Sequence, residues 1–354
     1  MSVHPVKLKV AEVIRETPET ISISFETPNE LLDYQAGQFL TLIAQVEGEP
    51  IRRAYSLCST PGVDEKLCVS VKQVENGKMS NWLPKNVSPG FEMEVLPPIG
   101  HFTFLPVRGK KRHIVLFGAG SGITPLFSIL KSVLAHEPDS FVSLVYGNRN
   151  ENSIIYKTKL EELQVKHPAK LKVVHCLTQP PDVWYGAKGR ISEELLEEIL
   201  HHLQPASPVQ ETLYYMCGPH GMMESVEHVL GKQGVIKDKI HREIFHSNVD
   251  EATKQQAVEE QGIITREVTI ILDGKTHKIT VDPSSTILET ALDKDIDMPY
   301  SCQSGLCTAC RGKCLSGKVH MDETEGLSDD ELDSGYVLTC VGHPLTADVV
   351  IQIG

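Results

Sequence analysis

The chain has 354 residues, 40% hydrophobic and 23% charged, too long for one core of ordinary size, so two or three domains are expected. It has no run of eighteen apolar residues, which excludes a transmembrane helix, and its alternating start "MSVHPVKLKVAEVIRE" lacks the apolar region of a signal peptide, so the chain reads as cytoplasmic. A net charge of -13 argues against a nucleic-acid partner, and the charge is uneven: 15 acidic and 7 basic residues lie between Arg266 and Gly354, a net of -8.

Residues 1–107 read as short strands parted by turns, "VKLKVAEVI", "TISISFET", "QFLTLIAQV", "KLCVSVKQV" and "EMEVLPP", the pattern of an antiparallel barrel or sandwich. Within it, "RRAYSLCST" (Arg52 to Thr60) sets a cation, an aromatic ring and a hydroxyl on one extended segment, with Arg53 and Tyr55 on the same face. A flavin needs those three things: a cation for phosphate, a ring to pack on, and a hydrogen-bonding group near N5. Alone, such residues on a barrel strand are as readily rim and surface residues. "GKMSNWL", starting at Gly77, looks like a helix start whose free N–H groups suit a pyrophosphate, and "LPPIGHF" closes the region.

In residues 108–246 apolar strands alternate with helical patterns, the signature of a parallel sheet wrapped by helices. "HIVLFGAGSGITPLFSIL" is a buried-type strand, a turn with Gly118, Gly120 and Gly122, and a helix with Pro125 in its first turn, where backbone and helix N-terminus can approach an anion. The spacing is G-x-G-x-G, a departure from the dinucleotide G-x-G-x-x-G. At the second strand end, Arg149 with Ser153 and Lys157 nearby leans toward the 2'-phosphate of NADPH; Glu151 is close, and NADH is the alternative. "YMCGPHGMM" and "REIF" mark later strand ends. His175, His201, His202 and His220 read as structural or surface residues, and Cys58, Cys68 and Cys176 as small core residues.

Residues 247–265, "SNVDEATKQQAVEEQGIIT", are polar and lack periodicity, so they read as a linker of roughly 25 Å typical span. Residues 266–354 then give a hairpin with an Asp-Gly turn, an amphipathic helix in "TILETALDKD", and a cysteine loop. Cys302, Cys307 and Cys310 form C-x4-C-x2-C, and Cys340 follows 30 residues later, the plant-type [2Fe–2S] spacing. Gly305 and Gly312 permit the tight loop that converging thiolates require. Zinc is the alternative, but zinc sites favour paired C-x2-C knuckles and only one such pair occurs. Cys314 falls outside the pattern as an unligated thiol.

In this order the motifs resemble the ferredoxin-NADP reductase superfamily followed by a β-grasp ferredoxin, and the resemblance covers nearly the whole chain. The fold it implies is an antiparallel β-barrel flavin domain, an α/β parallel-sheet nicotinamide domain and an α+β ferredoxin domain. It implies Arg53, Ala54, Tyr55, Ser56 and Val71 around the flavin, and Gly77, Lys78, Met79 and Ser80 at the pyrophosphate, hence FAD over FMN. Gly118, Gly120, Gly122, Thr124, Arg149, Ser153 and Tyr156 would bind the nicotinamide cofactor. Cys217, Gly218 and Pro219 would border the nicotinamide, and Glu243 and Phe245 the flavin face. Ser56, Cys217 and Glu243 are the implied catalytic set, Cys217 by packing and not as a nucleophile. The domain order resembles reductase components of bacterial oxygenases, those of phenylacetyl-CoA epoxidase and ketosteroid hydroxylase among them. The implied activity is electron transfer from NADPH through FAD and a [2Fe–2S] cluster to an oxygenase or desaturase component. The alternatives are a stand-alone reductase for a ferredoxin or flavodoxin-type acceptor and, in another class, a zinc-bearing redox sensor or scaffold.

Overall fold

The computed structural model describes residues 5–28, 31, 33–203, 205, 207–245, 263–283, 285–300, 305, 307–324 and 326–354. Most of the expected linker and one cysteine of the loop, Cys302, lie outside them.

The first six strands are β1 (Val6–Thr17), β2 (Thr20–Glu26), β3 (Phe39–Val46), β4 (Glu49–Ser56), β5 (Cys68–Lys72) and β6 (Glu92–Ile99). They form one antiparallel sheet in the order β4-β3-β6-β1-β2-β5. A bridge between Leu57 and Val69 brings the chain leaving β4 onto β5, so the sheet curls shut as the barrel alternation predicts. Alternate residues point inward to a core of Leu8, Ile23, Phe25, Leu40, Leu42 and Val95, and helix α1 (Lys78–Asn86) adds Met79 and Leu83 to it.

The next unit is a six-stranded parallel sheet: β7 (Arg112–Ala119), β8 (Phe141–Asn148), β9 (Leu171–Leu177), β10 (Ala187–Lys188), β11 (Glu211–Cys217) and β12 (Ile240–Glu243), in the order β10-β9-β8-β7-β11-β12. In β7, Ile114 and Leu116 face one core with helix α2 (Ile123–His136), and Val115 and Phe117 face another, formed with α4 (Glu193–His202) and α5 (His220–Lys232). Burial on both faces explains the unbroken apolar run of this strand. Helix α3 (Lys157–Lys166) packs on the α2 side through Leu160. The chain runs outward from β7 to β10 and returns to β11 on the other side of β7, so the topological switch lies at β7 and β11.

The barrel is fixed to this unit by polar and apolar contacts. Thr60 Oγ1 donates to Ser128 O (3.0 Å), and Ala36, Cys58 and Phe104 join the α2-side core. Where the units meet, Arg112 Nε donates to Glu137 Oε2 at 3.1 Å, Ser140 and the Val107 N–H also donate to that carboxylate, and the guanidinium lies over Phe104. Glu137 is fully buried, so this pair is held by four satisfied contacts.

The last unit pairs β13 (Arg266–Leu272) with β14 (Lys275–Val281) across Asp273 and Gly274, both at positive φ (50° and 74°), as an Asp-Gly hairpin turn demands. With β15 (Arg311–Ser316), β17 (Tyr336–Leu338) and β19 (Val349–Ile353) they form a mixed sheet, β14-β13-β19-β15-β17. Helix α6 (Ile287–Leu292), begun by a Thr286–Glu289 capping box, crosses it and buries Ile287, Leu288 and Ala291. The strands β16 (Val319–Met321) and β18 (Gly342–Pro344) pair apart from it, and α7 (Asp329–Asp333) precedes β17. No helix of the described residues is long and apolar enough to cross a membrane.

Candidate functional site

One continuous groove of about 3240 Å³ runs between the three units. Arg53, Ala54, Tyr55 and Ser56 of β4 reach it from the barrel, together with Gly77, Lys78, Met79 and Ser80 at the start of α1. The parallel sheet contributes Gly120, Gly122, Thr124, Arg149, Ser153, Gly218, Pro219, Glu243 and Phe245. Cys340 opens on it from the third unit.

The topology explains why these segments meet. In open parallel sheets the loops after the strands part at the switch point and leave a crevice. Here the register sets Gly118 of β7 beside Cys217 of β11, and Cys217 beside Glu243 of β12, so three expected site segments end in one row. The two turns after β7 and β11 touch: a Cβ at Gly122 would lie 2.0 Å from Cys217 O, so only a residue without one fits. Beside the row, Ser56 Oγ donates to Glu243 Oε2 at 3.1 Å, and both side chains are buried. This bond spans barrel and parallel sheet and fixes the serine and the glutamate on one another. Burial also pushes the Tyr55 phenol up, so its hydroxyl stays protonated.

Four expected cofactor residues do not line the groove. Val71 is fully buried in the barrel core, because its strand position points inward. Gly118 lies within β7 and Cys217 at the end of β11, and Cys217 is fully buried among apolar neighbours behind the turns. Tyr156 caps α3 in the left-handed region (φ 61°), which turns its ring inward to stack on Phe127 at 4.4 Å and its hydroxyl to donate to Ser70 Oγ. These four shape the walls from behind. Ser153 lines the groove, but its hydroxyl completes a capping box with Asn150. Lys157 is paired with Glu151 at 2.6 Å, so it adds less free charge than its spacing promises.

The sequence reading missed Arg190. It lines the groove just after β10, a strand of two residues that pairs with β9 and offers no periodicity to detect. With Arg149 after β8 it puts a second guanidinium on this rim. Lys72, at the end of β5, is a further cation on the wall near Gly120.

In the third unit Cys307, Cys310 and Cys340 are all buried. The Thr339 N–H and Oγ1 both donate to Cys310 O, at 3.2 and 3.0 Å, which ties the Cys310 turn to the Cys340 turn although 30 residues separate them. Gly326 N–H donates to Gly305 O, holding the loop from its other side. Cys314 lies apart in β15, half-buried, with its Sγ toward Ser316 O. Three buried cysteines on turns tied by main-chain bonds fit a cysteine-ligated cluster in donor chemistry, and the fourth ligand position, Cys302, is outside the described residues. The groove's backbone turns and cations fit a dinucleotide in the same sense.

Comparison with known proteins gives three family matches along the chain. Residues 5–104 match the oxidoreductase FAD-binding domain, 116–228 the oxidoreductase NAD-binding domain and 270–345 the 2Fe-2S iron-sulfur cluster binding domain. The ferredoxin reductase component of 3-ketosteroid-9-alpha-monooxygenase from Rhodococcus rhodochrous is 38% identical over 98% of this chain and 96% of its own. A 1,2-phenylacetyl-CoA epoxidase component from Escherichia coli is 35% identical over 98% of this chain and 96% of its own. Among solved structures, phthalate dioxygenase reductase superposes with a TM-score of 0.64 over 99% of this chain and 98% of its own, at 23% identity, which shows the shared fold. The match to a cluster-binding domain removes the zinc-scaffold alternative. The chain therefore belongs to the family of oxygenase reductase components that join FAD-binding, NAD-binding and [2Fe–2S] ferredoxin domains and transfer electrons to an oxygenase.

Proposed function

We propose that this chain uses NADPH in preference to NADH and serves an oxygenase whose metal centre is of di-iron or Rieske type, with its parts divided at residues 107, 246 and 265. The observation that carries the reading is the single groove, onto which the flavin-motif strand, the glycine turn, the Cys-Gly-Pro turn and Cys340 all open. When bound, FAD accepts a hydride and releases its electrons singly, and the cluster carries one at a time.

Arg53 would hold the flavin phosphate, Tyr55 would pack on the ring, and Gly77 to Ser80 would bind the pyrophosphate at the start of α1. Ser56 would hold the N5 edge. Because its hydroxyl donates to Glu243, the serine's orientation is set from β12, and this buried pair would present a fixed hydroxyl to the flavin. The Gly120–Gly122 turn and Gly218 would let the nicotinamide cofactor approach the backbone, with Cys217 supporting them from behind. Cys302, Cys307, Cys310 and Cys340 would ligate the cluster.

Arg149 and Arg190 support the NADPH preference, since an arginine suits a 2'-phosphate and no carboxylate is needed there. A cytoplasmic location suits thiolate ligands that must stay reduced. The test compares flavin reduction by NADPH and NADH in the wild type, Arg149→Ala and Arg190→Ala. Loss confined to NADPH supports the reading, and equal loss with both nucleotides defeats it.

A further inference from the structure

The ferredoxin unit is joined to the rest by a polar segment, so its seat on the barrel has to be held by contacts. The register between β3 and β4 places Phe39 opposite Ser56 and Thr41 opposite Ala54, with Ile43 opposite Arg52, so these residues share the outer face of the barrel. On that face the structure brings the two units together. Phe39, 2% exposed, forms an apolar cluster with Cys307, against which Ala54, Ile99 and Ala309 pack. Phe39 also lines the groove. Its ring therefore touches both the space next to Ser56 and a cysteine of the metal loop. Beside it, the Arg52 guanidinium lies 4.3 Å above the Tyr300 ring and Nη1 reaches Tyr300 O at 3.5 Å. Tyr300 immediately precedes the cysteine loop.

We propose that Arg52 and Tyr300 form a latch that seats the metal loop on the outer barrel face, with Phe39 as the spacer between flavin groove and cluster loop. Arg52 is a positioning residue. Its neighbour Arg53 faces the other side of the strand and lines the groove, whereas Arg52 turns to the ferredoxin unit. The planar guanidinium suits the role because it stacks on a ring and donates to a carbonyl at once, which lysine's ammonium does less well. The inference rests on the FAD and cluster assignment above and adds how the two are kept adjacent.

The experiment uses the full-length holoprotein with Arg52→Ala, Arg52→Lys and Tyr300→Leu. Anaerobic rapid mixing with NADPH follows flavin bleaching, and freeze-quench paramagnetic resonance follows electron arrival at the cluster. Hydrogen exchange in the resting protein reports the seating of residues 307–312. Loss of a cation–π contact lowers the seated-to-unseated ratio by about 2- to 30-fold. Arg52→Ala and Tyr300→Leu are expected to slow electron arrival and quicken exchange within that range, Arg52→Lys is expected to fall between, and flavin bleaching is expected to keep its wild-type rate. Wild-type electron arrival and exchange in both loss variants would overturn the latch, as would flavin bleaching that slows in step. A wild type lacking flavin or iron–sulfur signal would instead sink the cofactor assignment, and the latch with it.

Discussion

Replacing Gly122 by alanine tests whether the two turns at the switch point form one nicotinamide cradle. Gly122 has ordinary helical angles (φ -60°, ψ -11°), so alanine meets no backbone objection there. The objection is steric: its Cβ would sit 2.0 Å from Cys217 O, 2.5 Å from Cys217 C and 3.1 Å from Gly218 N. Ordinary contact needs roughly 3.4 Å, so the turns must part by more than about an ångström, and overpacking of this kind costs about 1–3 kcal/mol. If that strain falls on the crevice, NADPH affinity drops by about 5- to 150-fold. Flavin content is expected to stay at the wild-type level, because the barrel residues that would hold FAD do not touch this contact. The assay is the NADPH dependence of flavin reduction by stopped flow, with flavin absorbance as the control for content. Gly231→Ala serves as a control, since a Cβ there meets nothing within 4 Å and the residue lies off the groove, and its NADPH dependence should match the wild type. A folded Gly122→Ala protein with wild-type NADPH affinity would refute the cradle.

Four further outcomes are expected. Glu137→Ala leaves the buried Arg112 guanidinium with the longer 3.8 Å pairing to Glu211 in place of its buried carboxylate, and unfolding titrations should show a loss of about 3 kcal/mol. His113 and His175 are both lowered to about 4 by burial, so each is held neutral in the fold. A base with a depressed folded pKa costs stability as pH falls, here between about 6.5 and 4, by at most about 3 kcal/mol per histidine; melting midpoints from pH 7 to 4.5 should drop in that window, and less so in His113→Gln. Cys340→Ser should remove the iron–sulfur absorption while flavin bands remain, whereas Cys314→Ser should leave both. The net charge of -8 between Arg266 and Gly354 predicts a basic docking face on the oxygenase, so electron transfer to it should slow as ionic strength rises, and a flat salt profile would count against charge steering.

Much of the fold was legible because periodicity reports burial directly. The alternation around Leu8 and Val10 in β1, the unbroken apolar run of β7 and the Asp273–Gly274 turn each state their own geometry. The site was legible as segments, because glycines and helix starts are local signals. Side-chain direction was less so. Tyr156 lies in the expected segment, but its left-handed backbone turns the ring inward, and nothing in the spacing of "NSIIYK" announces that. Lys157 belongs to Glu151, a pairing that sequence proximity permits without requiring. Contacts between distant segments were invisible: Arg112 with Glu137, Ser56 with Glu243 and Arg52 with Tyr300 join residues 25, 187 and 248 positions apart. Arg190 was lost because the strand just before it, β10, is too short to carry a pattern.

The central claim is that one chain holds a two-electron flavin and a one-electron cluster in series. Anaerobic reductive titration of the purified holoprotein, followed by absorption and paramagnetic resonance, counts this directly. The account predicts about three electron equivalents per chain, with flavin bands and an iron–sulfur signal both responding to NADPH. Uptake of two equivalents with no iron–sulfur signal would contradict it.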